Sequence, residues 1–383
     1  MTNWTLTHIA VALLSPVLFS PIDAGAQTST PSEAIVFEQQ GKLAEAAKAW
    51  QAVIRKDPSD AAAFASLGVV LSKEQKYQEA ASAYQKAIAL NPKLPGVELN
   101  WGLAEFKQGH FLAAISPLHA ALVADPHNLQ ASTLLGLSYY GAKRFAAAIQ
   151  YLEVPAKSDP SNSELREVLA QSCLWAKKYS CALDAFHQIL QQNPDSAPAH
   201  MLSGEALDGL EKTPEAIAEF EAAAKVSPRE PNVHFGLGYL YWKSHQYDEA
   251  KREFDSELSI DPNHALALAY LGDIATKRND PDEALALLRK AVGMKNDIRI
   301  AYVDLGAVLT REKQYGEAVA ALQHAVELDP AEPDAHYRLG RAYQAMGKAQ
   351  ESKKEFAKVR ELHEKKDESL ASKIPAAPPP LPQ

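Results

Sequence analysis

A proline recurs every 34 residues along most of this chain: Pro58, Pro92, Pro126, Pro160, Pro194, Pro228, Pro262 and Pro330. Windows of 34 residues set to begin at Gln27 give ten copies, ending at Lys366, with no insertion or deletion. Only Asn296 and Glu364 interrupt the proline column. The residue before each proline is Asp, Asn or Ser, and a pre-proline residue is pushed out of helical geometry. Each such dipeptide ends a helix and opens a turn. Two or three compact domains are the default for 383 residues, but a period this strict describes a stack of identical units.

Two columns of small residues support helix hairpins. Place 8 of the window holds Ala34, Ala170 and eight glycines from Gly68 to Gly340. Mid-helix glycine costs about 1 kcal/mol against alanine, so a column of it needs a packing reason. Place 20 is alanine from Ala46 to Ala318, then Ser352. Glycine against alanine is the expected contact between two antiparallel helices. Large residues flank it at helical spacing, such as Leu135 and Tyr139 or Leu237 and Tyr241 on the first helix. Trp50, Tyr84, Phe186, Phe220, Phe254 and Phe356 share one place on the second helix. Burying each contributes roughly 1.5–3 kcal/mol, and only stacking of neighbouring hairpins completes that burial.

The segment 237-LGYLY-241, followed by Ala250, Phe254 and Pro262, resembles the tetratricopeptide repeat family. The resemblance covers residues 27–366. It implies an all-α fold, a right-handed α-solenoid of helix-turn-helix repeats whose first helices line the concave face.

Four positions depart from the pattern. Pro155 falls in the last turns of a second helix and is expected to end it early. Ser203 replaces a leucine, and Glu105 and Glu257 occupy columns that are otherwise apolar. A loosened or solvent-reached repeat is the plain expectation there, and a buried functional carboxylate the alternative. The first helix of window one, TSTPSEAIVF, is thin in apolar contacts, as expected of a terminal repeat facing water.

The two termini differ from the middle. Residues 9–19, IAVALLSPVLF, are an uncharged apolar run, and Ala24-Gly25-Ala26 gives a small-x-small cleavage pattern. No Lys or Arg precedes that run, and it is too short to span a bilayer as a helix. The expectation is a signal peptide over 1–26 and export to a bacterial periplasm or cell envelope, with a cytoplasmic protein as the alternative. Residues 353–373 read as a charged helix that caps the stack. A Pro-rich disordered tail is expected over 367–383.

No enzyme motif is present. GLGYLY (236–241) lacks the third glycine of a nucleotide loop and lies within a helix pattern. The 12 histidines are scattered, without metal-ligand spacing, and no nucleophile arrangement appears. The expectation is a non-enzyme without cofactor or metal. A formal charge of −9 disfavours non-specific nucleic-acid binding, which needs a surplus of Lys and Arg. Cys173 and Cys181 are the only cysteines. They sit on either side of one hairpin turn and can reach disulfide distance; two buried thiols are the alternative.

The resemblance places a ligand on the first helices. Residues pointing away from the partner helix are Leu99, Leu103 and Phe106, then Leu137 and Tyr140, then Leu174 and Trp175, then Phe235, Tyr239 and Trp242. They either anchor a partner segment or pack between adjacent first helices. Glu167, Glu205, Asp208 and Asp273 lie among them, which suits a ligand with apolar and basic character. The family's carboxylate clamp of Lys, Asn and Arg is not present as a set, since Asn100 and Arg341 stand alone. The expected function is a scaffold binding a protein or peptide in the groove. A self-associating envelope assembly factor, or the recognition subunit of an enzyme encoded separately, are the alternatives. Fold does not choose among them.

Overall fold

The structure, a computed structural model, describes residues 29–371, with side chains from 31 to 367. The expected signal peptide over 1–26 and the segment after 371 lie outside the described residues. Among those residues are twenty α-helices and no strand. They fall into two compact units.

Unit 1 runs to Pro194 and includes Glu205–Leu210. It begins with Ser29–Gln39 (α1), Leu43–Lys56 (α2), Ala61–Lys73 (α3), Tyr77–Leu90 (α4) and Val97–Lys107 (α5). Phe111–Ala124 (α6), Leu129–Gly141 (α7), Phe145–Ser158 (α8), Ser163–Trp175 (α9) and Tyr179–Gln192 (α10) follow. Ala197–Gly209 (α11) is divided between the units. Unit 2 continues with Thr213–Val226 (α12), Val233–Lys243 (α13), Tyr247–Ile260 (α14), Ala265–Lys277 (α15) and Pro281–Met294 (α16). It ends with Arg299–Arg311 (α17), Tyr315–Leu328 (α18), Pro333–Ala345 (α19) and Ala349–Ala371 (α20). The last helix thus runs past residue 366. Among the described residues, no helix is long and apolar enough to cross a membrane.

Within unit 1, each first helix packs on the second helix that follows it, and α3, α5, α7 and α9 also touch one another in succession. In unit 2, α13, α15, α17 and α19 do the same. The stacked hairpins make the fold an α-solenoid.

The turns explain the strict period. Before the prolines, Asp57, Asn91, Asp125, Asp159, Asp261 and Asp329 each accept a hydrogen bond from the backbone N–H two residues on. The carboxylate or amide so closes an Asx turn that the proline then stiffens. Place 34 caps the next first helix: Asp60, Asn128 and Asn162 accept from the N–H three residues on. The turn inside each hairpin is a left-handed one at place 15. All ten residues there have positive φ, yet only Gly41, Gly109 and Gly347 are glycines. Lys143, for example, has φ 58°. Next to it Arg144 N–H bonds to Tyr139 C=O at 2.8 Å, closing the helix end as a Schellman turn.

The small columns pack differently from expectation. The place-8 glycine faces the large residue at place 24 rather than the alanine at place 20. A Cβ at Gly136 would lie 2.5 Å from the Leu152 side chain, while the nearest Ala148 atom, its carbonyl oxygen, is 3.4 Å away. The same holds for Gly68 against Tyr84 (2.5 Å) and Gly238 against Phe254 (2.7 Å). The place-20 alanines are themselves fully buried from Ala46 to Ala318, so both columns are needed for close approach.

Pro155 does not end its helix: α8 continues to Ser158. The proline leaves the Tyr151 carbonyl without its helical donor, and Ser132 Oγ from α7 donates to that oxygen at 2.8 Å. Glu257 is not reached by solvent. It is 1% exposed and accepts from the N–H groups of Asn232 (3.0 Å) and Phe235 (3.1 Å), capping α13. Glu105 is likewise buried, accepting from Trp101 Nε1 and facing His110 Nδ1, both at 3.1 Å. In α1, Ile35 and Val36 are exposed.

Candidate partner-binding face

In unit 1 the predicted residues form a row across α5, α7 and α9. Leu99 and Leu137 are buried and act as its floor. Leu103 and Phe106 are half-buried, packed beside Leu99 and Leu118, and Phe106 meets Phe111 edge to face at 5.6 Å. Tyr140 is buried and donates its hydroxyl to Gln171 Oε1 at 2.5 Å; burial pushes its phenol up to about 12. Leu174 is buried.

Trp175 behaves differently. It is 47% exposed, yet its ring is fixed from below, stacked on Tyr140 at 5.6 Å and tilted against Phe145 at 4.8 Å. Tyr140 and Phe145 meet at 5.9 Å. A large apolar ring is thus held on the surface with little freedom to lose on binding.

In unit 2 the aromatic residues pack between repeats. Tyr270 of α15 is the hub, 6.0 Å from Phe235, 5.8 Å from Tyr239 and 4.8 Å from Trp242. It also stacks on Phe254 at 5.5 Å. Burial raises the Tyr270 phenol to about 12. The Trp242 indole donates to Asp273 Oδ2 at 2.5 Å, and Asp273 pairs with Lys277. The Lys277 ammonium lies 5.5 Å from the Trp242 ring centre. The cation-attracting face of this cluster already holds a cation from the same polypeptide, and Asp273 is buried and neutralised rather than offered to a basic ligand.

Of the other acidic residues, Glu205 is exposed, while Glu167 and Asp208 are half-buried. Burial, then the charge of Glu164, raises Glu167. The sequence pattern gives no sign of a further buried carboxyl, Asp304 of α17. It is 3% exposed, with Arg338 at 3.8 Å and one oxygen unbonded. Burial, then the neighbouring Asp273, pushes it up to about 7.

The histidines also hold a pattern that a search for metal spacing overlooks. His200, His234 and His336 share place 4 and meet Glu219, Glu253 and Glu355 at place 23, at 2.6, 2.7 and 2.6 Å. These are braces across single hairpins. Among the described residues no His, Cys, Asp or Glu group could hold a metal ion. Cys173 and Cys181 stand opposite each other across the α9–α10 turn, bonded sulfur to sulfur, with Cα atoms 5.7 Å apart, inside the range of a disulfide.

Family models described as tetratricopeptide repeat match residues 32–95, 168–231, 201–250 and 235–297, and 334–365. One described as TPR repeat matches 306–347. A model of anaphase-promoting complex, cyclosome, subunit 3 matches 111–189. No curated protein sequence matches. Among solved structures, the APC/C hetero-tetramer Cut9–Hcn1 is similar over 86% of this chain and 86% of its own, at 13% identity and TM-score 0.52, which shows a shared fold. YrrB, a TPR protein with an unusual peptide-binding site, aligns with 50% of this chain and 99% of its own at 23% identity and TM-score 0.40. Yeast Tom70 aligns with 87% and 91% at 16% identity and TM-score 0.41.

Proposed function

Since the protein belongs to the tetratricopeptide repeat family, whose repeats mediate protein–protein interaction, we propose that it is a non-enzymatic scaffold whose unit 1 binds a partner protein or peptide on its first-helix face. The observation that carries this reading is Trp175, half-exposed but immobilised on Tyr140 and Phe145. Rigid aromatic rings at the centre of a polar surface supply most of the energy in interfaces of this kind. Leu103 and Phe106 extend the apolar row by one more first helix. The unit 2 aromatics, closed by Tyr270 and Lys277, serve as packing in this account.

The scaffold works in a bacterial periplasm or envelope. That part rests on the apolar run at 9–19 with its Ala24-Gly25-Ala26 site, and on the closeness of Cys173 and Cys181, which suits an oxidising compartment.

Affinity capture from envelope extract with the full-length protein tests the reading against two variants, Trp175→Ala and Tyr239→Ala/Trp242→Ala. One protein retained by the wild type and by the unit 2 variant, and lost by Trp175→Ala, supports it. Retention by Trp175→Ala, or capture of further copies of the protein alone, contradicts it and favours self-assembly.

A further inference from the structure

The hairpin turns of unit 1 carry a charge pattern that the partner-binding face does not use. In the third, fourth and fifth repeats the segments around them read AEFKQGHFLA (104–113), SYYGAKRFAA (138–147) and SCLWAKKYSC (172–181). Together they hold five Lys or Arg and one carboxylate, Glu105, which is buried. Such a surplus of cations runs against a formal charge of −9 for the whole chain.

The three turns lie side by side. A Cβ at Gly141, the last residue of α7, would sit 2.6 Å from the ring of Phe111, the first residue of α6. One repeat on, Phe145 at the start of α8 meets Trp175 at the end of α9 at 4.8 Å. Neighbouring helices pack about 8–10 Å apart, close to the screening length of about 8 Å at physiological salt, so the charges of adjacent turns act together.

Lys107, Lys143, Arg144, Lys177 and Lys178 are all exposed. The ion pairs of this edge lie elsewhere: Lys73 with Glu38, Lys76 with Glu74 and His110 with Glu105. Among the described residues the five cations pair with no carboxylate. On the opposite edge, DPHN (125–128) and DPSN (159–162) hold Asp125 and Asp159 and no Lys or Arg. A hydrogen bond from the Ser161 hydroxyl holds the Asp159 carboxyl below the ordinary carboxylate range. One edge is therefore cationic and the other anionic.

Beside the cations the chain is uncharged. The second helices α6 and α8 open with FLA (111–113) and FAA (145–147), and Leu112 is 62% exposed. Basic residues interleaved with an exposed apolar side chain suit the boundary between the headgroups and acyl chains of a bilayer. Other polyanions fit less well. Four of the five cations are lysines, compact charges on flexible stems without the planar fork that fixes a carboxylate. The diffuse charge of lipid headgroups asks for no fixed geometry. A nucleic-acid strand needs rings on which its bases stack, and among the described residues this edge exposes one, Trp175.

We propose that this edge of unit 1 docks on the surface of an anionic lipid bilayer, with Lys107, Lys143, Arg144, Lys177 and Lys178 against the headgroups and Leu112 among them. Trp175 ends a first helix and stays with the partner-binding face, whereas Leu112 belongs to the second-helix side. The acidic edge faces away and orients the unit on the surface. Docking here is peripheral, since among the described residues no helix is long and apolar enough to cross a membrane.

The test is cosedimentation of the full-length protein with vesicles of phosphatidylcholine and phosphatidylglycerol, beside vesicles of phosphatidylcholine alone. The neutral vesicles account for any binding through the apolar run at 9–19. Anionic vesicles are expected to bind more tightly, and added salt to remove the difference. Each Lys or Arg near an anionic surface strengthens binding roughly fivefold. Lys143→Gln/Arg144→Gln/Lys177→Gln/Lys178→Gln is therefore expected to weaken binding by about a hundredfold or more, with its melting temperature unchanged. Should that variant melt early, Lys177→Gln/Lys178→Gln carries the test, with a loss of roughly tenfold or more. Leu112→Ser is expected to weaken binding several-fold. A control, Lys225→Gln/Arg229→Gln/Lys353→Gln/Lys354→Gln, removes the same charge from exposed positions of unit 2 and should bind like the wild type. Equal binding to neutral and anionic vesicles, or equal loss in the control, overturns the proposal. Tighter binding to polyglutamate or to duplex DNA than to anionic vesicles also overturns it, and assigns the edge to an acidic protein or to nucleic acid. The mixture holds no partner protein, so this edge and the partner-binding face fail or stand separately.

Discussion

Ser132 donates its hydroxyl to the Tyr151 carbonyl at 2.8 Å, the oxygen whose helical donor Pro155 removes from α8. A buried or half-buried carbonyl without a donor costs about 1–3 kcal/mol, enough to fray the last turn. Ser132→Ala is therefore expected to destabilise unit 1 by about 1–2 kcal/mol in denaturant unfolding. In a Pro155→Ala background the helical N–H returns, and the cost of Ser132→Ala should shrink towards zero. Equal cost in both backgrounds would mean that the serine acts through packing.

Gly136 and Leu152 make a second testable contact. Alanine raises helix propensity by about 1 kcal/mol over glycine, yet a Cβ at Gly136 would sit 2.5 Å from the Leu152 side chain. Overpacking costs about 1–3 kcal/mol, so Gly136→Ala should be net destabilising. Adding Leu152→Ala should remove the clash and reveal non-additivity in a double-mutant cycle. A stabilised Gly136→Ala would show that the hairpin yields freely.

Asp304 makes stability depend on pH. Its folded value of about 7 lies above the ordinary 3.8 because of burial and the nearby Asp273, with Arg338 and Lys277 opposing. A carboxyl that holds its proton more tightly when folded stabilises the fold at pH below about 4. That contribution is lost as pH rises to about 7 and is level beyond. Asp304→Asn should flatten this profile and raise stability at pH 8, measured by urea unfolding of matched samples. A profile unchanged by Asp304→Asn would place the proton elsewhere.

Cys173 and Cys181 predict a redox effect. Protein isolated from an oxidising compartment should show no reactive thiol, and Cys173→Ser/Cys181→Ser should lose about 2–3 kcal/mol, as expected for closing a short loop. Two titratable thiols in fresh oxidised protein would contradict this pairing.

Much of the fold was legible because one period governs it. The prolines, the glycines at place 8 and the alanines at place 20 report helix ends and close approach directly. Contacts that join distant parts of a repeat were less visible. Pro155 looks like a stop until Ser132, one helix earlier, supplies the missing donor. Glu257 looks misplaced until the Pro231-Asn232 turn shifts the start of α13 to Val233 and leaves N–H groups to cap. The His–Glu braces join places 4 and 23 in three repeats only, too few to stand out as columns. At the site, the aromatic positions were legible but their exposure was not. Tyr270 and Lys277 close one cluster, while Tyr140 and Phe145 lift Trp175 into solvent, and such differences depend on neighbours in the adjacent repeat.

The most direct measurement is photo-crosslinking of the full-length protein in envelope extract, with p-benzoylphenylalanine at Trp175. The control carries the same label at Val154, a 59% exposed residue on the second helix α8. The account predicts one adduct of defined mass from position 175 that is absent from position 154. The same adducts from both positions, or crosslinks only between copies of the protein, would contradict a partner-binding face on the first helices of unit 1.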